Sequence, residues 1–522
     1  MTKNSRTSIK LNGLNLTVDD VVEIARSRKG IQLSPEALVR VERGRKMVER
    51  ILSLGRTAYG INTGFGKLAD VRIDTKELEQ LQTNLIRSHS VGSGTPLSED
   101  QVRAIMVVRL NSLLRGNSGV RPIVLRQLKE LLNNGFYPEI PRHGSLGASG
   151  DLAPSAHLAL TIMGEGHAFV GGKRVAARRV LSHLGVPPIR LKEKEGLAII
   201  NGTQVMAGLG CLIVHDCELL LENLGIAGAL SLEALGGNME PFDPRIQALR
   251  SFQGQAQVAS QIRELTKGSR LVGSVKRVQD AYSLRCIPQV HGAFMDALTF
   301  GRSSFEKEVN SVTDNPILFP EDDLVLNSGN FHGQPLAIAL DLLGVVMAEA
   351  SVFSERRIDK LLTSYNPNLP PFLSPRSGLN SGLMVTQYTA AALISQNKIL
   401  ARPAGLDSPT VSAGQEDHSS MGVTSALKAR EILENTTRVI AIETMCAAQA
   451  IDLYAPLAGK ESDDEASWQA HQLLGRGTTR AYLEVRKVTK KVEEDRPLSE
   501  DIERVAVALS QGAIANSVKS QS

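Results

Sequence analysis

The stretch QVMAGLGCLIVHDCELLLENLGIAGALSLEAL, residues 204–235, decides the fold class. It is apolar almost all round and contains no proline, so it predicts one unbroken helix roughly 48 Å long at 1.5 Å per residue. A helix that is apolar on most faces must be covered by other helices, from this chain or from a partner subunit. Similar stretches cover 335–362, 382–401 and 423–453. The expected fold is therefore mostly α, a bundle of long helices with loops crowded at its ends. Composition agrees: aromatic residues are only 4% of the chain, where a β-sandwich would want more aromatic and β-branched positions.

Before residue 204 the character is mixed. A chain of 522 residues exceeds one ordinary core, so two or more packed units are expected. We expect 1–203 to be a loop-rich N-terminal region carrying the reactive loops, and 204–522 to be the long-helix bundle with C-terminal helices. In the first region, 14–18 reads as a short strand followed by a helix that Asp19 or Asp20 caps. A polar helix is expected over about 75–88. Another runs from about Ser98 to Leu114, with Ser98 as cap and Asp100 in its first turn. Gly171-Gly172 between short apolar runs signals a two-residue hairpin.

Several function classes are excluded. The net charge is only +4, and basic residues alternate with acidic ones, as in Lys192, Glu193, Lys194 and Glu195. That run reads as a solvated mixed surface, not a nucleic-acid footprint. Cys211, Cys217, Cys286 and Cys446 are scattered and form no Cys-x-x-Cys pair, so neither a disulfide framework nor a metal site is expected. The N-terminus is polar without a signal region, and no run of about 18 uncharged apolar residues occurs. The expectation is a cytoplasmic protein with no membrane partner.

The chemistry is concentrated in GSLGASGDLAPSAH, residues 144–157. A nucleophile elbow needs Gly-x-Ser-x-Gly, but here Gly150 follows Ser149 directly and Asp151 replaces the second glycine. A plain glycine-rich turn is the simplest alternative. A third reading fits the residue types better. The amide nitrogen of Gly150 can attack the carbonyl of Ala148, and glycine permits that close backbone approach. Loss of one water from the ring and of the Ser149 hydroxyl as a second leaves 4-methylideneimidazol-5-one (MIO). This electrophile needs no external cofactor.

This segment is very similar to the signature of the aromatic amino acid ammonia-lyases and aminomutases. The resemblance continues in order through YGINTGFG (59–66), NLIRSH (84–89), NGTQ (201–204) and QDAYSLRCIPQ (279–289). It goes on through DNP (314–316), GNFHGQP (329–335), SERRIDKL (354–361), LPPFL (369–373) and QEDHSSMG (415–422). It implies a mostly helical homotetramer whose active sites combine loops from several subunits, acting on a small amino acid. Ala148, Ser149 and Gly150 would form the electrophile. Tyr59 resembles the family's inner-loop tyrosine and is the candidate base for the β-proton. Its ordinary pKa near 10 would have to be depressed by the site. Arg285 is the candidate carboxylate clamp, since its fork matches a carboxylate. Tyr282 and Asn201 resemble residues that position substrate and support the electrophile, Gln279 lines the pocket, and Phe331 packs near the ring. His332 reads as a structural hydrogen-bonder.

Substrate choice rests on the ring contacts. His89 stands where phenylalanine-specific relatives tend to carry an apolar residue; it can bond an imidazole or a tyrosine hydroxyl. Tyrosine and phenylalanine lyases typically read Asn-Gln-Asp where residues 415–418 read Gln-Glu-Asp-His, as in histidine lyases. The Glu416 carboxylate can accept an imidazole N–H but offers little to an apolar ring. The expected reaction is conversion of L-histidine to urocanate and ammonia. Gly414, Ala281, Arg402 and Gln396 depart from the usual histidine-lyase pattern, which keeps a tyrosine lyase, a tyrosine 2,3-aminomutase or a lyase for a modified histidine as alternatives. From another class, a non-catalytic helical scaffold would have been free to lose Ser149, Tyr59, Arg285 and Glu416, all of which are intact. The Gly-Ser-Ser-x-Met-Pro loop of fumarase-type lyases does not occur.

Overall fold

A computed structural model describes residues 8–458 and 470–519. The expected long helices are present as Gln204–Ala234, Gln334–Leu362, Met384–Leu400 and Gly422–Ala458, joined by a further one, Ile287–Glu308. The strands among the described residues are two to four residues long and form sheets of two or three strands. They tie loops together and form no layer. By length and composition alone Gln204–Ala234 and Gln334–Leu362 could cross a membrane, but 78% and 61% of their apolar windows are buried within the protein. Core packing accounts for their apolar character.

The chain divides into two units. The first comprises Met1–His215, Gly301–Asp341 and Pro403–Leu427; the second comprises Asp216–Phe300, Leu342–Arg402 and Lys428–Ser522. At the centre of the first lies Glu99–Leu113, buried on every side from Val102 onward and packed on Val18–Arg26. Arg103 fixes this arrangement. Its buried guanidinium donates to Ile24 O and Ala25 O and, at 2.8 Å, to Leu132 O. These carbonyls end two helices, where no intrahelical donor remains and a cation is favoured. Gly208, in the first turns of Gln204–Ala234, meets the same central helix: a Cβ there would lie 2.7 Å from Ile105 N. That close approach seats the turn 201–203 just before it.

Three local expectations are corrected. The first helix is capped by Thr17, in a capping box with Asp20 at its third position, because the hydroxyl reaches the orphan N–H that an Asp already inside the helix cannot. Residues 14–18 are not a strand. Asn12 Oδ1 accepts from Leu14 N and Asn15 N, and Leu16 N donates to Asn310 Oδ1, so side chains take the place of a ladder; the strand is Ile9–Leu11. The run 192–195 is not a solvated face either. Lys194 and Glu195 are fully buried, paired with Asp314 and Arg121 respectively at 2.7 Å. The capping box of Ser98 and the hairpin turning at Gly171-Gly172 are as expected, and the polar helix starts slightly late, at Leu78.

In the second unit, Arg357 and Glu443 form a fully buried ion pair at 2.5 and 2.8 Å. Ser231 and Ser354 donate to the same carboxylate at 2.7 and 2.6 Å. Three long helices are thus joined through one saturated acceptor, which a buried charge requires.

Candidate active site

The loop 144–150 lies in the first unit, between strand Pro141–His143 and helix Leu152–Ile162. Gly150 is its most constrained residue. Its φ is +75°, it forms a bridge with Gly202, and an added Cβ would lie 2.3 Å from Gly202 O. Only glycine fits there. The same carbonyl accepts from Asp151 N at 2.7 Å. Ser149 is held from both ends: Asn201 Nδ2 donates to its carbonyl at 3.1 Å, and its hydroxyl donates to Glu416 Oε1 at 2.7 Å.

Asp151, to which no role was given in the sequence, anchors this geometry. Its fully buried carboxylate accepts from Ser145 Oγ, Val205 N and Met206 N, each at 2.9 Å. The two amides belong to the first turn of Gln204–Ala234, whose orphan N–H groups favour an anion. Burial pushes its pKa up, to about 7, against those three hydrogen bonds.

Ala148, Ser149, Ser88, His89, Leu146 and Glu416 help to wall a cavity of about 190 Å³. His89 Nδ1 lies 3.0 Å from Ser88 Oγ. Burial pushes the imidazole pKa down, with Leu85 O and the Glu416 charge opposing, so His89 is neutral near pH 7. The segment bearing Glu416 is tied to the reactive loop: Met421 N donates to Leu146 O at 2.8 Å and Ser420 Oγ to Gly147 O at 3.2 Å.

Residues 16–487 match the family described as aromatic amino acid lyase. The chain is 47% identical to histidine ammonia-lyase from Alkaliphilus metalliredigens (strain QYMF), over 98% of each protein. Its fold superposes on tyrosine aminomutase from Streptomyces globisporus with a TM-score of 0.91, 36% identity and coverage of 98% of both chains. Histidine ammonia-lyase from Trypanosoma cruzi gives 0.89 and 38%, covering 98% of this chain and 95% of that one. The chain belongs to the aromatic amino acid lyase family.

In this lyase Tyr59 is partly buried on the loop that touches the Glu416 segment, where a Cβ on Gly66 would be 2.9 Å from Ser412 Oγ. The expected depression of its pKa is not found. Burial raises it, the charges of Glu416 and Asp314 raise it further, and only the Gly66 N–H, 3.3 Å from the phenol oxygen, opposes them. Phe331 is half-buried on the turn before Gln334–Leu362 and is not part of the cavity wall.

Gln279, Tyr282 and Arg285 belong to the second unit. Tyr282 opens a short helix and is 70% exposed, and the Arg285 guanidinium sits 4.6 Å from its ring centre. The first unit therefore gathers Tyr59, His89, the tripeptide, Asn201 and Glu416 without Arg285.

Sequence reading also missed a buried cationic cluster behind the 201–203 turn. Lys194 Nζ donates to Asp314 Oδ2, and Arg109 Nη1 lies 3.5 Å from Gln204 Oε1 and 3.0 Å from the position of a Cβ on Gly202. Burial lowers the Arg109 pKa to about 10, which leaves it charged at neutral pH. DNP at 314–316 marked one member; Lys194 inside a Lys-Glu run gave no signal.

Proposed function

We propose that this lyase is a carbon–nitrogen lyase that converts L-histidine to urocanate and ammonia, using MIO formed from Ala148, Ser149 and Gly150. One observation carries the substrate: the Glu416 carboxylate and the neutral His89 imidazole face one cavity with Ser149. Together they offer an acceptor and a tautomeric donor–acceptor to an imidazole ring. The histidine ammonia-lyases among its relatives support this reading.

The residues present fit the internal electrophile. Gly150 lies where a side chain would strike Gly202 O, Asn201 grips the Ser149 carbonyl, and the Ser149 hydroxyl points at a carboxylate. MIO would supply an acceptor for the substrate amine and so make nitrogen a good leaving group. The chain's own side chains do the rest. Arg285 holds the substrate carboxylate, with Tyr282 and Gln279 beside it. Glu416 and His89 hold the ring, and Tyr59 takes the β-proton. A phenol whose pKa is raised needs a cation nearby to act as base. Arg285, brought by another subunit, has the required charge.

That role for a second subunit fits a homotetramer. Tyr282 and Val278 stand 70% and 96% exposed, and Val385, Tyr388 and Ile399 leave an apolar face open on Met384–Leu400. Such exposure of large apolar side chains suits an association surface. The likeness to tyrosine aminomutase, with His89 able to bond a phenol, favours tyrosine as the second reading.

Incubation with L-histidine, L-tyrosine and L-phenylalanine separately, followed by ultraviolet absorbance, tests the assignment. Urocanate should be the main product. Coumarate in its place would overturn the histidine reading, and β-tyrosine on chiral analysis would reveal a mutase. Ser149→Ala should fold and assemble without the loss of two waters in its intact mass, and should be inactive.

A further inference from the structure

Glu416 is presented by an exposed, irregular segment, and a bridge to Val411, with backbone hydrogen bonds of 2.9 and 3.3 Å, steadies it. Two residues on, His418 is exposed but held by a ring stack and a side-chain hydrogen bond. Its ring stacks on His332 with planes 4° apart and centres 5.3 Å apart. Its Nδ1 lies 3.0 Å from Ser408 Oγ, which also accepts from Ser419 N at 2.7 Å. Ser419 Oγ donates in turn to Pro409 O.

His332 is a fixed surface for that stack because its loop is pinned to the 312–315 segment. Ser328 N donates to Asn315 Oδ1 at 2.7 Å, Ser328 Oγ to Asp314 O at 2.9 Å, and Asn330 Nδ2 to Val312 O at 3.1 Å. All of these residues lie in the first unit.

We propose that His418 is a positioning residue that holds Glu416 at the cavity wall, facing the ring of the substrate, by stacking on His332 and bonding Ser408. A dipeptide step spans at most about 7 Å, so movement of the His418 ring is transmitted to Glu416 with little slack. A displacement of about 1 Å at a contact made in the transition state is enough to cost orders of magnitude in rate. This rests on Glu416 being a substrate contact, as in the proposed function.

A double-mutant cycle tests it. kcat and KM are measured for wild type, His418→Ala, Glu416→Gln and the double variant, using whichever amino acid the wild type deaminates best. Intact mass reports the loss of two waters in each. His418→Ala should lose about tenfold in kcat/KM with the two-water loss complete, and should lose less than about twofold when Glu416 is already Gln. His418→Phe, which keeps a ring over His332, should recover part of the rate. Ser408→Ala, which spares the stack, should show a smaller loss that also vanishes in the Gln background and serves if the Ala variant is unstable. Equal losses in both backgrounds, or an unchanged rate, would overturn the role. If histidine is not the preferred substrate, the substrate reading fails while the cycle still decides the role of His418.

Discussion

Replacing Glu416 by Gln keeps the side-chain volume and removes the charge. In the structure its Oε1 accepts a 2.7 Å hydrogen bond from Ser149, and the carboxylate faces the cavity beside His89. Glutamine retains an acceptor but forfeits the charge assistance: a hydrogen bond to an ionised group contributes about 1.5–3 kcal/mol and one to a neutral group about 0.5–1.5, so about 1–1.5 kcal/mol is lost. At about 1.4 kcal/mol per decade this is roughly a 5- to 12-fold loss in kcat/KM for L-histidine. With the substrate carboxylate assigned to Arg285 and the ring to Glu416, inhibition by a ringless amino acid should change by less than about twofold. The assay is urocanate formation at several histidine concentrations, with intact mass checked first so that incomplete loss of two waters is not mistaken for weak binding. A variant with complete maturation and wild-type kcat/KM would refute the ring contact.

Gly150→Ala places a Cβ 2.3 Å from Gly202 O at φ +75°; overpacking against backbone should cost about 1–3 kcal/mol and block the two-water loss, seen as lower Tm and an unshifted mass. Arg357→Met leaves Glu443 buried without its cation, which should cost about 3–5 kcal/mol in urea unfolding; a loss below about 1 kcal/mol would show the two serines suffice. His291 is buried beside Arg357, and burial followed by that charge pushes its pKa well below the usual imidazole value. The unfolded chain then binds the extra proton first, so its stabilising contribution is present above pH about 6.5 and is lost as pH falls below it. Melting curves at pH 5 and pH 7.5 should show His291→Gln gaining on wild type at the lower pH, whereas a constant gap would contradict this.

The long helices were legible because a run apolar on all faces has few other solutions. Their observed bounds, Gln204–Ala234 and Gln334–Leu362, lie within a residue or so of the expected ones. Ile287–Glu308 gave a weaker pattern, since Gly292, Gly301 and several charged residues interrupt its apolar face. Capping was legible where hydroxyl and partner lay within one turn, as at Ser98, and was misplaced at Thr17, where two aspartates competed for the same role.

By itself the sequence determined the helical class and the family, and it supplied the grounds for the proposed Ala148-Ser149-Gly150 chemistry, because each is written in contiguous residues whose types restrict what the backbone can do. Tertiary structure alone decided the environment of those residues. Glu416 touches the Ser149 hydroxyl across 267 positions of chain, and Lys194 in an apparently solvated run meets Asp314 in the core. The pKa of Tyr59 moves up because burial and two carboxylates outweigh one backbone N–H. Distances between side chains remote in sequence, and the water removed from around them, set these energies, and neither quantity is encoded in any local stretch of residues.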